Sequence, residues 1–229
     1  MTDLELRKKG DALQAQFEDV NISDEEIISQ IKEFPELINI KLMTGMNLFM
    51  AAIRKNRFPV AKALSDMGAD IHWTCSASKG NALNVANSPQ QADDLLALGL
   101  EIEKNLLLSK PFRNPAIMAA ERNNKTMLLY WLDKQKKIFA DDEEYIKKLL
   151  YAAMDMVSMM NQYGMLSCVI ADEELFDILK DIYSNIDSVN SIRLYISALN
   201  RIDDENLTPQ IKELKKVLNT RKKELSSAK

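Results

Sequence analysis

A short sequence pattern recurs along this chain at an interval of 33 or 34 residues. In each copy, large apolar residues precede an alanine, and these alanines are Ala52, Ala86, Ala120 and Ala153. On a helix, a large residue and a small residue three positions later share one face, where the small residue lets a neighbouring helix approach closely. A constant period of this length is typical of repeat proteins, in which each unit stacks on its neighbours.

A second helix is predicted after each of these alanines. Apolar pairs follow two of them at offsets of eight and twelve residues: Val60 with Leu64, and Leu128 with Leu132. Gly68 and Gly99 come just past predicted helices, where a left-handed C-cap favours glycine. Ser88 and Pro89 form a cap and first turn only two residues after Ala86, which predicts a shortened turn between the helices of that unit.

The segment from Gly45 to His72 resembles an ankyrin repeat without a gap, through Leu48-Phe49-Met50-Ala51-Ala52 and Gly68-Ala69-Asp70-Ile71. The resemblance runs from about Glu25 to Gln135. It implies helical hairpins joined by finger loops, and partner binding through the finger tips and the exposed face of each first helix. The family's usual Thr-Pro-Leu-His start is replaced here, for example by Asn47-Leu48-Phe49-Met50. We therefore expect the loops to be held mainly by packing.

The remainder of the chain also has helical patterns and no alternating strand segment. A capping box begins at Ser23, and Pro209 lies in the first turn of the last predicted helix. The predicted fold is all-α, an α-solenoid of ankyrin-like helical hairpins with helical caps. Residues 1–22 would form an N-terminal capping helix and residues 23–140 the repeats. Residues 141–229 would form an irregular helical part that continues the solenoid.

The composition argues against several classes of function. The chain has one His, and its two Cys lie 93 positions apart, so no metal site and no cofactor are predicted. Its six glycines form no phosphate-binding motif. The N-terminus is polar and the net charge is −4. We therefore expect a cytoplasmic monomer that binds neither membrane nor nucleic acid, with secretion without a cleavable leader left open.

Two groups of residues could carry catalysis, and each has a structural explanation. His72 and Cys75 could seed a nucleophilic site, but nothing supplies an orienting acid, so a surface or turn-capping His72 is favoured. Four acidic clusters could hold a cation. Three of them lie where helices begin, at residues 24–26, 141–144 and 172–174, and the fourth, at 203–205, precedes the last helix. We predict no catalytic residue.

Two further segments could bind partners but are also explained by structure. Five methionines between Met154 and Met165 suit an adaptable groove, or irregular core packing, which is favoured. The segment from Thr208 to Lys229 carries a net charge of +5, whereas the segment from Asp172 to Asp187 carries −5. A solvated helix facing this acidic neighbour, or a frayed tail, is the favoured interpretation of the basic segment.

Trp73 is the main candidate for partner binding, because the repeat core does not need it and a Trp is a common interface anchor. The alternative is that Trp73 folds back onto the neighbouring finger. If it is an anchor, Trp73→Ala should keep the fold and abolish binding. The resemblance places eight residues on the binding surface: Met46, Arg54, Lys55, His72, Trp73, Lys79, Phe112 and Arg113.

The predicted function is therefore non-enzymatic protein binding through the finger loops and the concave helix face. One alternative is a bacterial-type effector or toxin-like enzyme whose site lies in the C-terminal helical part, from about Ala140. Another is a one-to-one inhibitor or immunity protein. The partner's identity does not follow from the sequence, since repeat proteins change partners through surface residues.

Overall fold

The computed structural model describes residues 2–78, 80–103, 114–160, 163–200, 202 and 208–227. In this part of the chain there are thirteen α-helices and no β-strand, which confirms the all-α prediction. None of the described helices is both long and apolar enough to cross a membrane. The chain divides into two compact units, Met1–Pro115 and Ala116–Lys229. The predicted boundaries after residues 22 and 140 stay predictions.

The first unit consists of short helices and a 3-10 turn. In chain order they are α1 (Asp3–Gln16), α2 (Asp24–Glu33), the 3-10 turn (Pro35–Leu37), α3 (Leu48–Arg54), α4 (Phe58–Asp66), α5 (Ala82–Val85) and α6 (Pro89–Ala97). Helix α3 packs on α1, α4 and α5, and α2 packs on α4. Reciprocal amide hydrogen bonds between Gln16 and Gln30 join α1 to α2.

The helix termini follow the predicted capping chemistry. Ser23 and Glu26 form the capping box that starts α2, and Ser88 caps α6 with Pro89 in its first turn. Gly68 and Gly99 both have positive φ, as the predicted left-handed C-caps require. Helix α5 has only four residues, and only the three residues 86–88 separate it from α6, which confirms the short turn after Ala86.

Hydrogen bonds from side-chain amides join loops that lie 23 to 31 residues apart in the sequence. Asn39 accepts the N–H of Asp70 and donates to the oxygen of Gly68. The buried Asn47 caps α3 through the N–H of Met50 and donates to the oxygen of Asp70 at 2.9 Å. The expectation that the loops are held mainly by packing is therefore corrected, because asparagine side chains also hold them through hydrogen bonds.

Arg57 joins the start of α4 to the α1–α2 connection. Its guanidinium donates to the backbone oxygens of Phe17 and Asp19 and pairs with Asp24 at 3.0 Å. Both side chains of the ion pair are largely buried. Because the guanidinium satisfies carbonyls just past α1 and a carboxylate at the start of α2, it fixes the first hairpin against the second.

The second unit contains longer helices. They are α7 (Pro115–Glu121), which begins at the last residue of the first unit, α8 (Lys125–Ile138), α9 (Glu143–Met160), α10 (Tyr163–Val169), α11 (Glu173–Ser184), α12 (Val189–Leu199) and α13 (Pro209–Ser227). Helix α9 packs on α8, α10 and α11, and α13 packs on α11 and α12. Tyr183 of α11 is buried and stacks on Tyr195 of α12 with ring centroids 5.2 Å apart.

The α7–α8 pair reproduces the α3–α4 pair 67 residues later. Asn56 and Asn123 have positive φ at the two inter-helix turns. The N–H of Arg57 bonds to the oxygen of Ala52, and that of Asn124 bonds to the oxygen of Ala119. Ala119 is therefore the counterpart of Ala52, and the predicted equivalence of Ala52 with Ala120 is wrong by one residue.

Candidate partner-binding surface

The first finger, residues 42–46, is a tight turn that presents Met43 to solvent. The N–H of Gly45 bonds to the oxygen of Leu42, and the N–H of Leu42 bonds to the oxygen of Met46. Asp11 of α1 accepts the N–H of Met43 at 3.0 Å. Gly45 has φ of +82°, a conformation that glycine adopts without strain. The side chain of Met43 is thus 80% exposed on a turn whose backbone is fixed on both sides.

The second finger, residues 70–78 and 80, packs directly on this turn. The oxygen of Gly45 accepts the indole N–H of Trp73 at 3.0 Å and the N–H of Ser76 at 3.4 Å. A Cβ on Gly45 would lie 2.5 Å from the hydroxyl oxygen of Ser76. The exposed or half-exposed residues within 43–44 and 72–78 form what we call the finger surface: Met43, Thr44, His72, Trp73, Thr74, Ser76, Ala77 and Ser78.

The structure supports the alternative interpretation of Trp73. Its ring folds onto the neighbouring finger, where the indole N–H reaches Gly45, and the side chain stays half-exposed. Trp73 therefore stabilises the finger surface as well as contributing to it. His72 is exposed, and its backbone N–H is held by the carboxylate of Asp70.

The structure describes three of the other predicted binding residues. Met46 is 4% exposed, so its predicted place on the exposed surface is corrected: the turn directs it into the core. Arg54 is exposed, while Lys55 is half-buried and pairs with Glu18, whose pKa the Lys55 ammonium lowers through that hydrogen bond. Lys79, Phe112 and Arg113 lie outside the described residues.

Helix α3 offers almost no exposed face for binding. Every residue from Leu48 to Ile53 is at most 1% exposed, and only Arg54 at its end reaches solvent. A helix that is apolar on all sides is a core helix. The prediction that the exposed face of this first helix contributes to binding is therefore wrong for α3, and in the first unit the fingers are the better candidate.

Cys75 is a buried residue of the second finger. Burial, the largest influence, raises the pKa of its thiol. Hydrogen bonds from the Ser78 hydroxyl and from the N–H groups of Ser78 and Ala77 together outweigh burial and leave the pKa below its usual value. The Arg54 guanidinium contributes in the same direction. The thiol accepts hydrogen bonds from residues of its own loop and donates one to the backbone oxygen of Thr44 in the first finger. These contacts indicate a structural role for Cys75.

The acidic clusters that the structure describes are confirmed as helix starts. Residues 24–26 form the first turn of α2 after the Ser23 cap. Asp142 and Asp172 accept N–H groups three residues later, at the starts of α9 and α11. The cluster at 203–205 lies outside the described residues. Among the described residues, no group of three or more His, Cys, Asp and Glu could hold a metal ion.

The predictions for the methionine-rich segment and for the basic segment are confirmed in part. Met154, Met156 and Met165 are buried, as core packing predicts, but Met159 and Met160 are exposed. Helix α13 does pack on the acidic α11. An ion pair joins the two helices, in which Lys180 of α11 binds Glu213 of α13 at 2.5 Å.

Sequence reasoning missed two features of this region. The exposure of Met43 was one, because nothing in the sequence shows that Asp11 accepts its N–H. An apolar residue two positions before a turn glycine could have indicated an exposed side chain at this position. The asparagines that precede α3, α5 and α7, namely Asn47, Asn81 and Asn114, recur at 34 and 33 residues and mark the repeats directly. Their periodicity could have located the helix starts.

Comparison with known proteins identifies no relative: no family model, no curated protein and no solved structure matches this chain.

Proposed function

We propose that this chain is a protein-binding repeat protein of the ankyrin-like kind and that its partner docks on the finger surface. The observation that carries the proposal is Met43, a large apolar side chain that is 80% exposed on a rigid turn beside the half-exposed Trp73. Exposed apolar side chains held in place by hydrogen-bonded backbone bind at little entropic cost, because little is left to immobilise. Such anchors dominate the affinity of many interfaces.

The repeat character of the proposal is supported by the periodic contacts. Side chains of Asn39 and Asn87 bond to backbone groups 29 to 33 residues away, about one period along the chain. The α3–α4 and α7–α8 pairs begin 67 residues apart, which is two periods. Repeat proteins that use such hairpins commonly bind through the loops that project from one edge of the stack.

Affinity capture from the native source tests this proposal. The full chain would be tagged and compared with Met43→Asp and with Val20→Asp, a matched control because Val20 is 89% exposed and lies in the α1–α2 connection. We expect one partner, or a few, to be captured by the wild-type chain and by Val20→Asp but lost with Met43→Asp. Capture that is the same with all three chains would overturn the proposal.

The stoichiometry of the captured complex separates two versions of this function. A one-to-one complex with a single enzyme, accompanied by loss of that enzyme's activity, would identify an inhibitor or immunity protein. Several partners that compete for Met43 would identify a scaffold or adaptor.

A further inference from the structure

Basic side chains lie beside the finger surface. The hydrogen bond from Met43 to Asp11 places α1 against the first finger. Arg7 and Lys8 precede Asp11 by four and three residues, so they lie on the same face of α1 as Asp11. Lys41 precedes Met43 by two residues. All three basic residues are exposed.

None of these three basic side chains forms an ion pair within the described part of the chain. Two carboxylates lie in the same region, since Asp11 accepts the N–H of Met43 and Asp70 accepts that of His72, and both keep their negative charge. The three basic side chains outnumber these two carboxylates, so the region has an excess of one positive charge, although the whole chain has a net charge of −4.

The finger surface itself is uncharged. Thr44, Ser76, Ala77 and Ser78 are exposed residues with short side chains, and Met43 and the half-exposed Trp73 are the large apolar residues among them. An apolar centre surrounded by charge is the usual anatomy of a protein interface, in which the rim charges select the partner and raise the association rate.

We propose that the partner segment docking on the finger surface is an acidic stretch of polypeptide carrying a large apolar residue. This residue contacts Met43 and Trp73, and the flanking carboxylates face Arg7, Lys8 and Lys41. The inference rests on the proposed function and specifies the chemistry of its partner. A basic stretch would be repelled by the same three side chains, and a neutral stretch would gain nothing from them.

A random 12-residue peptide display library tests this directly. The library would be selected on the immobilised full chain and depleted on Met43→Asp, which removes peptides that bind elsewhere, including those that bind the lysines of α13. We expect the enriched peptides to combine a net negative charge with at least one large apolar residue. Synthetic copies would then be titrated against purified variants whose folding has been checked by circular dichroism.

The variants separate charge recognition from a general effect of net charge. Lys8→Glu/Lys41→Glu should weaken binding by about tenfold, and so should raising the NaCl concentration from 50 to 300 mM. Lys32→Glu/Lys212→Glu makes the same change in net charge at exposed positions in α2 and α13, and should leave the affinity within about twofold of wild type.

Three results would overturn the acidic-partner inference: enriched peptides without acidic character, equal binding to Lys8→Glu/Lys41→Glu, or no peptide that depends on Met43. If native capture still depends on Met43, the proposed function stands and only the partner's chemistry is wrong. If acidic peptides bind as expected but no native partner is captured, the charge preference stands and the proposed function fails.

Discussion

The indole N–H of Trp73 donates a 3.0 Å hydrogen bond to the backbone oxygen of Gly45, which joins the two fingers of the first unit. The same oxygen accepts the N–H of Ser76. The second finger is thus fixed on a turn that only glycine fits without strain. This hydrogen bond joins the second finger to the turn that carries the exposed Met43.

Replacing Gly45 by alanine should destabilise the chain more than the same change at Gly68. Both glycines have positive φ, so each substitution carries a conformational cost of about 1 kcal/mol. At Gly45 the added Cβ also lies 2.5 Å from the Ser76 hydroxyl, whereas at Gly68 nothing lies within 4 Å. Urea unfolding should show an extra loss of about 1–2 kcal/mol for Gly45→Ala. Equal losses would contradict the packing of the two fingers.

Asn47→Ala should be among the costly polar substitutions. Asn47 is fully buried, caps α3 and donates to the oxygen of Asp70. The change leaves the N–H of Met50 without its cap and the Asp70 oxygen without this donor, so we expect a loss of about 2–3 kcal/mol. Asn39→Ala, at an exposed position that bonds to the same loop, should cost about 1 kcal/mol. If Asn47→Ala lost no more stability than Asn39→Ala, the two hydrogen bonds of the buried Asn47 would contribute little to folding.

Arg57→Ala should lower the free energy of unfolding by about 2 kcal/mol, because it removes donors from the carbonyls of Phe17 and Asp19 and leaves Asp24 unpaired. The control is Lys62→Ala, which removes an exposed i,i+4 pair with Asp66 worth about 0.3–0.5 kcal/mol. Thermal or urea unfolding measures both. If the two variants behaved alike, Arg57 would not be the tie between the first two hairpins.

The stability of the chain should fall at alkaline pH through Tyr183. Burial raises its pKa to about 12, against about 10 in the unfolded chain. The folded state therefore retains the proton more strongly, and this contribution is fully present below pH 10 and is lost as pH rises towards 12. By linkage the loss is about 2 kcal/mol at pH 11.5. Tyr183→Phe lacks this titration. The difference in free energy of unfolding between Tyr183→Phe and wild type should therefore shift in favour of the variant by about 2 kcal/mol between pH 9 and pH 11.5. A pH-independent difference between the two would contradict the burial of Tyr183.

Local chemistry could be predicted from the sequence, but tertiary burial could not. The caps at Ser23 and Ser88 and the C-cap at Gly68 depend on neighbouring residues, and all three are confirmed. Whether α3 keeps an exposed face depends on how many elements pack on it, which its own residues do not reveal.

The candidate surface was also predictable in its local features but not in its tertiary contacts. Its location in the finger loops is a prediction from the repeat pattern. The hydrogen bond that turns Trp73 inward is accepted by the backbone oxygen of Gly45, 28 residues away. The exposure of Met43 likewise depends on Asp11, 32 residues away. Neither relationship follows from the spacing of the repeats, so Met46 rather than Met43 was predicted at the surface.

The most direct test of partner binding through the finger surface is the dissociation constant of the captured partner for Met43→Asp, measured by calorimetry beside wild type and Val20→Asp. An interface anchor contributes about 2 kcal/mol or more, which corresponds to about 30-fold in affinity. We predict at least that loss for Met43→Asp, with Val20→Asp unchanged. A Met43→Asp affinity within twofold of wild type would contradict partner binding through the fingers.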